Sequence, residues 1–412
     1  MTVSYKFQGQ TYAEDAPNFA AFLSHAYGNS ERPRCACRPG GIEMYVAKVG
    51  GIHVIKRMPN TGSLHSPSCN SYEPPPETSG LAEVNGSAIQ TDVKTGITTL
   101  KFDFALSKAG SRIAPPGGGE EKSTVKSDGK KLTLRGALHY LMDEAGFTRW
   151  SPAMAGKRSW YVFRKYLLQA ANDKAVKGNS LAANLFMPES FSVERKAELE
   201  QRRSEVFNQL RVTEKSTRKL MILVAEVKEI LPARIGKKLI VKHLPDSFFM
   251  IDDGLHKKLA KRFSAELGLW DALEGTHLLV IATFGVADTG IASIEEASLV
   301  LTNENWIPFE TTDEKELIDA LAARRFVKSL RYNMPTTKPI ASAVLSDTET
   351  PVAMYIVPAN ATEEFETEFV ALQDESQLDS WTWNIAEGPM PDLPPAQDSR
   401  MREAPPPSAD SH

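Results

Sequence analysis

The chain has 412 residues and a mass of 45.4 kDa, with 42% hydrophobic and 24% charged residues, a balance typical of globular proteins. This composition excludes collagen-like, wholly disordered and disulfide-stapled chains, and a length of about 150 residues per domain favours roughly two or three domains. The first six residues lack the apolar run of a signal peptide, and no stretch approaches the ~18 apolar residues of a membrane span. Because only three residues are cysteine, we expect a protein of the reducing cytoplasm. Because no apolar span is present in the sequence, we expect no membrane association.

The net charge of −4 is the sum of unlike parts. Residues 1–131 carry a net charge of +3, residues 132–245 a net charge of +10, and residues 246–412 a net charge of −17. The basic middle region predicts a polyanionic partner, which we take to be nucleic acid. The acidic last third predicts a solvated surface or an intramolecular complement of the basic region, and a docking surface for a protein partner is a further possibility.

Alternating apolar residues and turn residues predict a β-rich first part. The predicted elements are a strand at 3–8, a helix at 18–25, a hairpin at 44–49 and 52–58, and a hairpin at 88–93 and 97–104. The first hairpin is predicted to turn at Gly50 and Gly51. Residues 107–131 are rich in Gly, Pro, Ser and Lys and predict a flexible linker, so the first domain is expected to span residues 1–106.

Beyond the linker, helical spacing of apolar residues predicts a basic helical region over residues 132–212, with helices at 134–145, 159–171 and 192–210. A mixed α/β domain is expected over residues 213–387. Its predicted elements are strands at 220–227, 238–242, 277–286, 341–345 and 352–357, and helices at 255–267 and 314–323. Residues 388–412 are rich in proline and predict a disordered tail. The fold class is therefore predicted as α+β.

The three cysteines are clustered in the first part of the chain. Cys35 and Cys37 are separated by one residue, and His65 and Cys69 follow the predicted hairpin. Three cysteines and one histidine are a standard tetrahedral set for structural Zn²⁺. The alternative is a group of ordinary buried thiols, and His53 on the hairpin is a conceivable substitute ligand. The spacing predicts a zinc site that stabilises residues 30–75 as a small β-hairpin module and leaves no coordination position for catalysis.

Cations alternate with aromatic residues in the middle region. Phosphates attract cations and unstacked bases pack on flat rings, so this composition predicts a nucleic-acid surface. The predicted contact residues are Arg149, Trp150, Lys157, Arg158, Trp160, Arg164 and Lys165. The alternative is a pair of amphipathic helices whose aromatic residues lie in the core and whose cations face water.

No catalytic residue can be assigned from the sequence. The run 118–123 resembles a phosphate-binding loop, but Glu121 stands where that motif needs glycine. Glu226 and Lys228 follow a predicted strand, as in half of a metal-dependent nuclease site, but no acidic residue lies just upstream. We therefore predict a protein that acts by binding, and leave catalysis unassigned.

Several short motifs resemble an uncharacterised bacterial family, the one catalogued as domain of unknown function 1173. The motifs are residues 35–38, 44–47, 56–59, 64–69, 72–75, 134–136, 149–152, 156–158, 324–328 and 330–333. The resemblance implies a cytoplasmic protein carried by plasmids and integrative conjugative elements, and it implies no activity.

These observations together predict a zinc-stabilised, nucleic-acid-associated accessory protein of a bacterial mobile element. Two alternatives stay open. Residues 341–348 and 352–357 resemble the paired core strands of restriction-endonuclease-like enzymes, without their metal-binding acids, which would make the protein a divergent or inactivated phosphodiester enzyme. The acidic last third would instead suit a scaffold of a conjugation or defence complex.

Overall fold

The computed structural model describes residues 3–108, 130–211 and 218–397. Most of the predicted linker and residues 398–412 of the predicted tail lie outside these ranges. No helix within the described ranges is both long enough and apolar enough to cross a membrane.

The first part of the chain forms short strands, and both predicted hairpins are confirmed. Its elements are β1 (Ser4–Phe7), β2 (Gln10–Ala13), α1 (Phe19–Ala26), β3 (Arg34–Cys35), β4 (Ile42–Val49), β5 (Ile52–Arg57), α2 (Leu81–Val84), β6 (Ile89–Asp92), β7 (Ile97–Leu100) and β8 (Ser107–Lys108). The first five strands form an antiparallel sheet in the order β2-β1-β3-β4-β5. The β4–β5 turn falls at Gly50 and Gly51, whose φ angles of 57° and 86° lie in the left-handed region that favours glycine.

The middle of the chain contains the three predicted helices. Its elements are α3 (Leu134–Glu144), β9 (Arg149–Trp150), α4 (Trp160–Ala171), β10 (Lys174–Val176), β11 (Asn179–Ser180), β12 (Leu185–Phe186) and α5 (Lys196–Leu210). Thr133 and Ser159 begin α3 and α4, because each side chain accepts a hydrogen bond from a backbone N–H in the first turn. Strand β10 pairs with β7, which joins the middle of the chain to the first part.

The last part of the chain is mixed α and β, as predicted. Its elements are β13 (Arg218–Lys219), β14 (Met221–Pro232), β15 (Lys237–Val241), β16 (Phe249–Ile251), α6 (Asp253–Arg262), α7 (Ser264–Ala272), β17 (His277–Val286), β18 (Ala292–Thr302), α8 (Thr312–Ala320), β19 (Phe326–Lys328), β20 (Ala343–Leu345), β21 (Val352–Val357), α9 (Glu363–Glu375) and β22 (Asp379–Asn384). The single helix predicted at 255–267 is two helices, because Phe263 leaves the helical conformation with φ −112° and ψ 30°.

Five of these strands close into a barrel. Their order is β14-β15-β16-β18-β17, and β17 pairs with β14 again. Neighbouring strands are antiparallel except β16 and β18, which are parallel. A register shift between Val227 and Glu229 lets the first half of β14 pair with β17 and the second half with β15. With helices α6 and α7 connecting the third and fourth strands, this is the topology of the oligonucleotide/oligosaccharide-binding (OB) barrel.

The hydrophobic core crosses the predicted domain boundaries. Leu223 and Leu278 of the barrel strands belong to the cluster inside the barrel. Their neighbours Ile222 and Leu279 point the other way, into a second cluster that contains Leu138 of α3 and other residues from α4 and β7. The predicted division between residues 132–212 and 213–387 therefore does not follow a division of the core.

The predicted disordered tail needs a correction for residues 388–397. Trp383 donates its indole N–H to the carbonyl of Gly388 at 3.1 Å, and Trp381 donates to that of Asp392 at 2.9 Å. Met390 and Leu393 pack against the main cluster. A low apolar content misled the prediction, because backbone carbonyls of this segment serve as acceptors for buried tryptophans.

Candidate functional site

The four predicted metal ligands converge, and each is placed by a turn. Cys35 ends β3, and Cys37 lies directly before a turn that is closed by a hydrogen bond from the N–H of Gly41 to the carbonyl of Arg38. His65 ends a 3-10 turn, and Cys69 closes the next turn by donating its N–H to Ser66 at 2.8 Å. The ligand atoms all lie within 4.8 Å of one another, so the group could hold a metal ion.

The distances between these atoms fit a tetrahedral zinc ion. Zn–S bonds of about 2.3 Å and Zn–N bonds of about 2.05 Å separate two sulfurs by about 3.8 Å and a sulfur from a nitrogen by about 3.6 Å. The Sγ atoms of Cys35 and Cys69 are 3.7 Å apart. The Nδ1 atom of His65 lies 3.4 Å from Sγ of Cys37 and 3.8 Å from Sγ of Cys69. The side chains therefore surround a position of the right size for one ion.

The surroundings supply hydrogen-bond donors to two of the sulfur atoms, but of the three thiols only that of Cys69 has a lowered pKa. The backbone N–H of Ser66 points at Sγ of Cys37 at 3.5 Å, and that of Ser71 points at Sγ of Cys69 at 3.4 Å. The hydrogen bond with Cys35 lowers the pKa of the Cys69 thiol to about 4, and burial acts in the opposite direction. Burial raises the pKa of the Cys37 thiol. One thiolate is thus available to a metal at neutral pH, and metal binding must displace the other thiol protons.

The two tryptophans predicted to stack on bases lie in the core. Trp150 and Trp160 are each only 4% exposed. Trp150 donates its indole N–H to the carbonyl of Ala322 at 2.9 Å, and Trp160 donates to that of Pro188 at 2.8 Å. Neither ring is accessible to a nucleic acid, so this part of the predicted interface is corrected in favour of the core alternative.

The predicted arginines are also occupied within the protein. Arg158 donates to the backbone carbonyls of Phe147, at 3.0 Å, and Asn305, at 3.2 Å, and its guanidinium lies over the ring of Phe147. Arg164 donates to the carbonyl of Met187 at 3.0 Å, and Arg149 pairs with a glutamate of the first part. Of the seven predicted contact residues, Lys157 and Lys165 are the two that are exposed.

Arg158 is expected to stabilise the fold. Replacing it with methionine leaves buried carbonyls without their donor, and we expect the free energy of unfolding to fall by about 2–3 kcal/mol. Urea unfolding measures this change, and Lys157→Met, one residue away and exposed, is the matched control with an expected change below about 0.5 kcal/mol. An Arg158→Met variant with unchanged unfolding and weakened nucleic-acid binding would reverse the assignment.

A different basic surface, which the sequence reasoning missed, lies on the outside of the barrel. Strand register places Leu231, Lys238, Met250 and Ser293 in one row across four neighbouring strands. Their chain neighbours, such as Leu239, point into the barrel. This row defines the outer face of β15 and β16. The sequence does show residues 238 and 240 alternating with the buried residues 239 and 241. This alternation indicates a strand with one exposed face, but it does not show that the face lies on the outside of a barrel.

Phe248 completes this outer face. Its ring is 36% exposed, and the ammonium group of Lys238 lies 4.6 Å from the ring centre. The adjoining β14–β15 loop exposes Ile235 by 76%. Arg234 and Lys238 form no ion pair with any carboxylate of the described ranges, whereas Glu229 on the same face pairs with Lys228.

The acidic residue of the nuclease alternative has another role. Glu226 points away from the barrel interior, and its Oε1 atom lies 2.6 Å from both Nδ1 of His277 and Nζ of Lys242. The ring of His277 stacks on Trp306 with centroids 4.2 Å apart. Within the described residues, the cysteine–histidine group is the one cluster of three or more potential ligands close enough together to hold a metal ion.

The fold and the site together define a mixed α/β protein that combines a five-stranded barrel of OB topology with a cysteine–histidine group able to hold a metal ion. The chain belongs to the family described as Protein of unknown function (DUF1173), whose sequence signature matches residues 5–386, so the predicted family resemblance is confirmed. The comparisons with curated proteins and with solved structures found no match.

Proposed function

We propose that this protein binds single-stranded nucleic acid on the outer face of β15 and β16, acts without catalysis, and is stabilised by a structural zinc ion. The observation that carries the proposal is the exposed Phe248 ring with Lys238 beside it on that face. In OB barrels, the second and third strands and the loops after the first and fourth strands hold oligonucleotides. Here those strands are β15 and β16, and those loops are residues 233–236 and 287–291.

The chemistry of the face suits an extended single strand. A base that stacks on Phe248 in place of the Lys238 ammonium leaves that ammonium within reach of its phosphate. Each stacked base contributes about 1–3 kcal/mol in such proteins. Leu231 and Ile235 offer apolar contact to sugars and further bases. The unpaired charges of Lys238 and Arg234 are free to replace the counterions of the phosphates.

Three thiolates and one imidazole are the ligand set that favours zinc over hard cations. Four protein ligands leave no position for a substrate, so we assign the metal a structural role. The cytoplasmic location and the association with a mobile genetic element, which the family resemblance implies, are part of this proposal.

Fluorescence anisotropy with labelled dT20, U20 and a 20-base-pair duplex tests the proposal. We expect Phe248→Ala and Lys238→Gln each to weaken single-strand binding about tenfold, because one loses a stacking ring and the other a phosphate contact. A plot of the logarithm of the binding constant against the logarithm of the salt concentration has a negative slope, and its magnitude should be smaller by about 0.7 in the Lys238→Gln variant. Lys165→Gln, an exposed cation on α4, is the matched control with affinity within twofold of the parent.

Two results would contradict the proposal. Equal losses in the Lys165→Gln control and the face variants would show binding that depends on net charge alone. An absence of binding at about 50 mM salt, where phosphate contacts are strong, would remove the nucleic-acid function and favour docking of a protein through the acidic last third.

A further inference from the structure

A polar cleft separates the β4–β5 hairpin from helix α3. Its volume is about 360 Å³, enough for a molecule of nucleotide size. Neutral hydrogen-bonding side chains, including Tyr45, Asn60 and Asn85, line one part of it. The charged residues of its wall are Lys56, Arg57, Glu73, Asp143, Glu144 and Arg149.

Two arginines of the wall meet at one carboxylate. Oε1 of Glu73 accepts a hydrogen bond from Arg149 at 3.1 Å, and Oε2 of Glu73 pairs with Arg57. The Nε atoms of both arginines are buried and have no hydrogen-bond partner in the described part of the chain. Two guanidinium groups thus bind one anionic group, and the Nε–H group of each has no acceptor in the described part of the chain.

The other acids of the cleft are already engaged. Glu144 pairs with Lys174 at 2.7 Å. Asp143 accepts hydrogen bonds from Thr148 at 2.7 Å and from the hydroxyl of Tyr332 at 2.8 Å. Glu73 is therefore the anion that the two arginines hold.

We infer that this cleft binds a phosphorylated small molecule of nucleotide size, whose phosphate group takes the position of the Glu73 carboxylate between Arg57 and Arg149. A carboxylate has two oxygens and satisfies one N–H group on each arginine here, whereas a phosphate monoester has three terminal oxygens and can also meet the Nε donors. The neutral side chains of the wall then contact the rest of the ligand. This site shares no residue with the barrel face and does not depend on the proposed nucleic-acid function.

The environment of Glu73 makes it displaceable. Burial raises the pKa of the Glu73 carboxyl, and Arg57 and Arg149 act in the opposite direction. The backbone around it is tightly placed, because a Cβ on Gly62 would come within 2.6 Å of Cβ of Glu73. The side chain is thus the part that would have to move for the carboxylate to leave the arginines.

Isothermal titration calorimetry on the full zinc-loaded chain tests the inference with AMP, inorganic phosphate and citrate as probes. We expect AMP to bind, Arg149→Gln to weaken AMP binding at least tenfold, and Glu73→Gln to strengthen it about tenfold because the internal competitor loses its charge. Arg34→Gln, which breaks an ion pair with Glu43 in the same module, is the matched control and should bind AMP like the parent.

The Glu73→Gln variant separates a ligand site from a purely structural ion pair. A structural pair predicts that this variant loses stability and gains no affinity for any phosphate, and that result would overturn the inference. Binding of citrate without AMP or phosphate would also overturn it, because the site would then select carboxylates. Lys238→Gln should leave AMP affinity unchanged, which keeps this outcome independent of the nucleic-acid proposal.

Discussion

Cys69→Ser is expected to remove the metal and unfold the first sheet. The purified parent should carry about one zinc ion per chain, and the variant close to none, because three remaining ligands hold zinc far less tightly than four. Structural zinc contributes about 10 kcal/mol to the folding of isolated zinc fingers. The cluster that surrounds Cys35, with Phe7 and Phe22 among its members, is small and cannot replace that contribution.

Metal analysis and limited proteolysis measure the two effects separately. In Cys69→Ser we expect new cleavage within residues 34–72 and intact protection of the barrel, whose core is a separate cluster. His53→Ala is the matched control. His53 lies on β5 and contacts Ser24 at 3.1 Å, away from the four ligands, so its loss should leave the zinc content unchanged. A metal-free parent purified without chelators, together with a normally folded Cys69→Ser variant, would disprove the zinc site.

Acid should release the same ion. The thiols of Cys35 and Cys37 have raised pKa values, Cys35 mainly through its hydrogen bond to Cys69 and Cys37 through burial. Zinc must compete with these protons, so its apparent affinity is expected to fall as the pH falls. A chelator competition assay between pH 8 and pH 5 measures that decline, and a pH-independent affinity would contradict thiolate ligation.

The features that the sequence predicted correctly are governed by residues close together in the chain. The β4–β5 hairpin follows from Gly50 and Gly51, which tolerate the positive φ angles of a tight turn. The sequence identified the metal ligands because the chain has only three cysteines and because His65 lies four residues before one of them, Cys69. In both cases only a few residue types can fill the role, a tight turn or a metal ligand, so a short stretch of sequence was enough to predict it.

The barrel could not be predicted, because its closure depends on distant pairs. Strand β16 has only three residues, too few for a periodic signal, and it joins β18 through the single pair Met250 and Ser293. The role of the tryptophans depended on equally distant partners. Trp150 is held by a carbonyl 172 residues away in the chain, so its alternation with cations resembled a surface that does not exist.

Lys174→Met is expected to be the most destabilising single change outside the metal site. The side chain of Lys174 is 1% exposed, and its ammonium group lies 2.7 Å from carboxylate oxygens of both Glu144 and Asp173. Methionine keeps the volume but removes the cation of the partly exposed Glu144 and one of the two cations of the buried Asp173, which also pairs with Lys56. We therefore expect a loss of about 3 kcal/mol, the lower end of the cost of breaking a buried ion pair. Urea unfolding at pH 7 measures the loss. Lys108→Met, which breaks an exposed pair with Glu295, should cost less than about 1 kcal/mol.

The pH dependence of the free energy of unfolding tests whether the ion pair with Glu144 accounts for the stabilisation by Lys174. Burial opposes the charge of Glu144, but Lys174 outweighs it and lowers the pKa of Glu144 from 4.5 to about 2. A carboxyl with a lowered folded-state pKa contributes stability that is fully present above pH 4.5 and is lost as the pH falls through 2. Lys174→Met should abolish this acid-dependent loss, since its Glu144 no longer prefers the charged form. The double variant Lys174→Met/Glu144→Gln should regain part of the stability, whereas additive losses would show that the two side chains act independently.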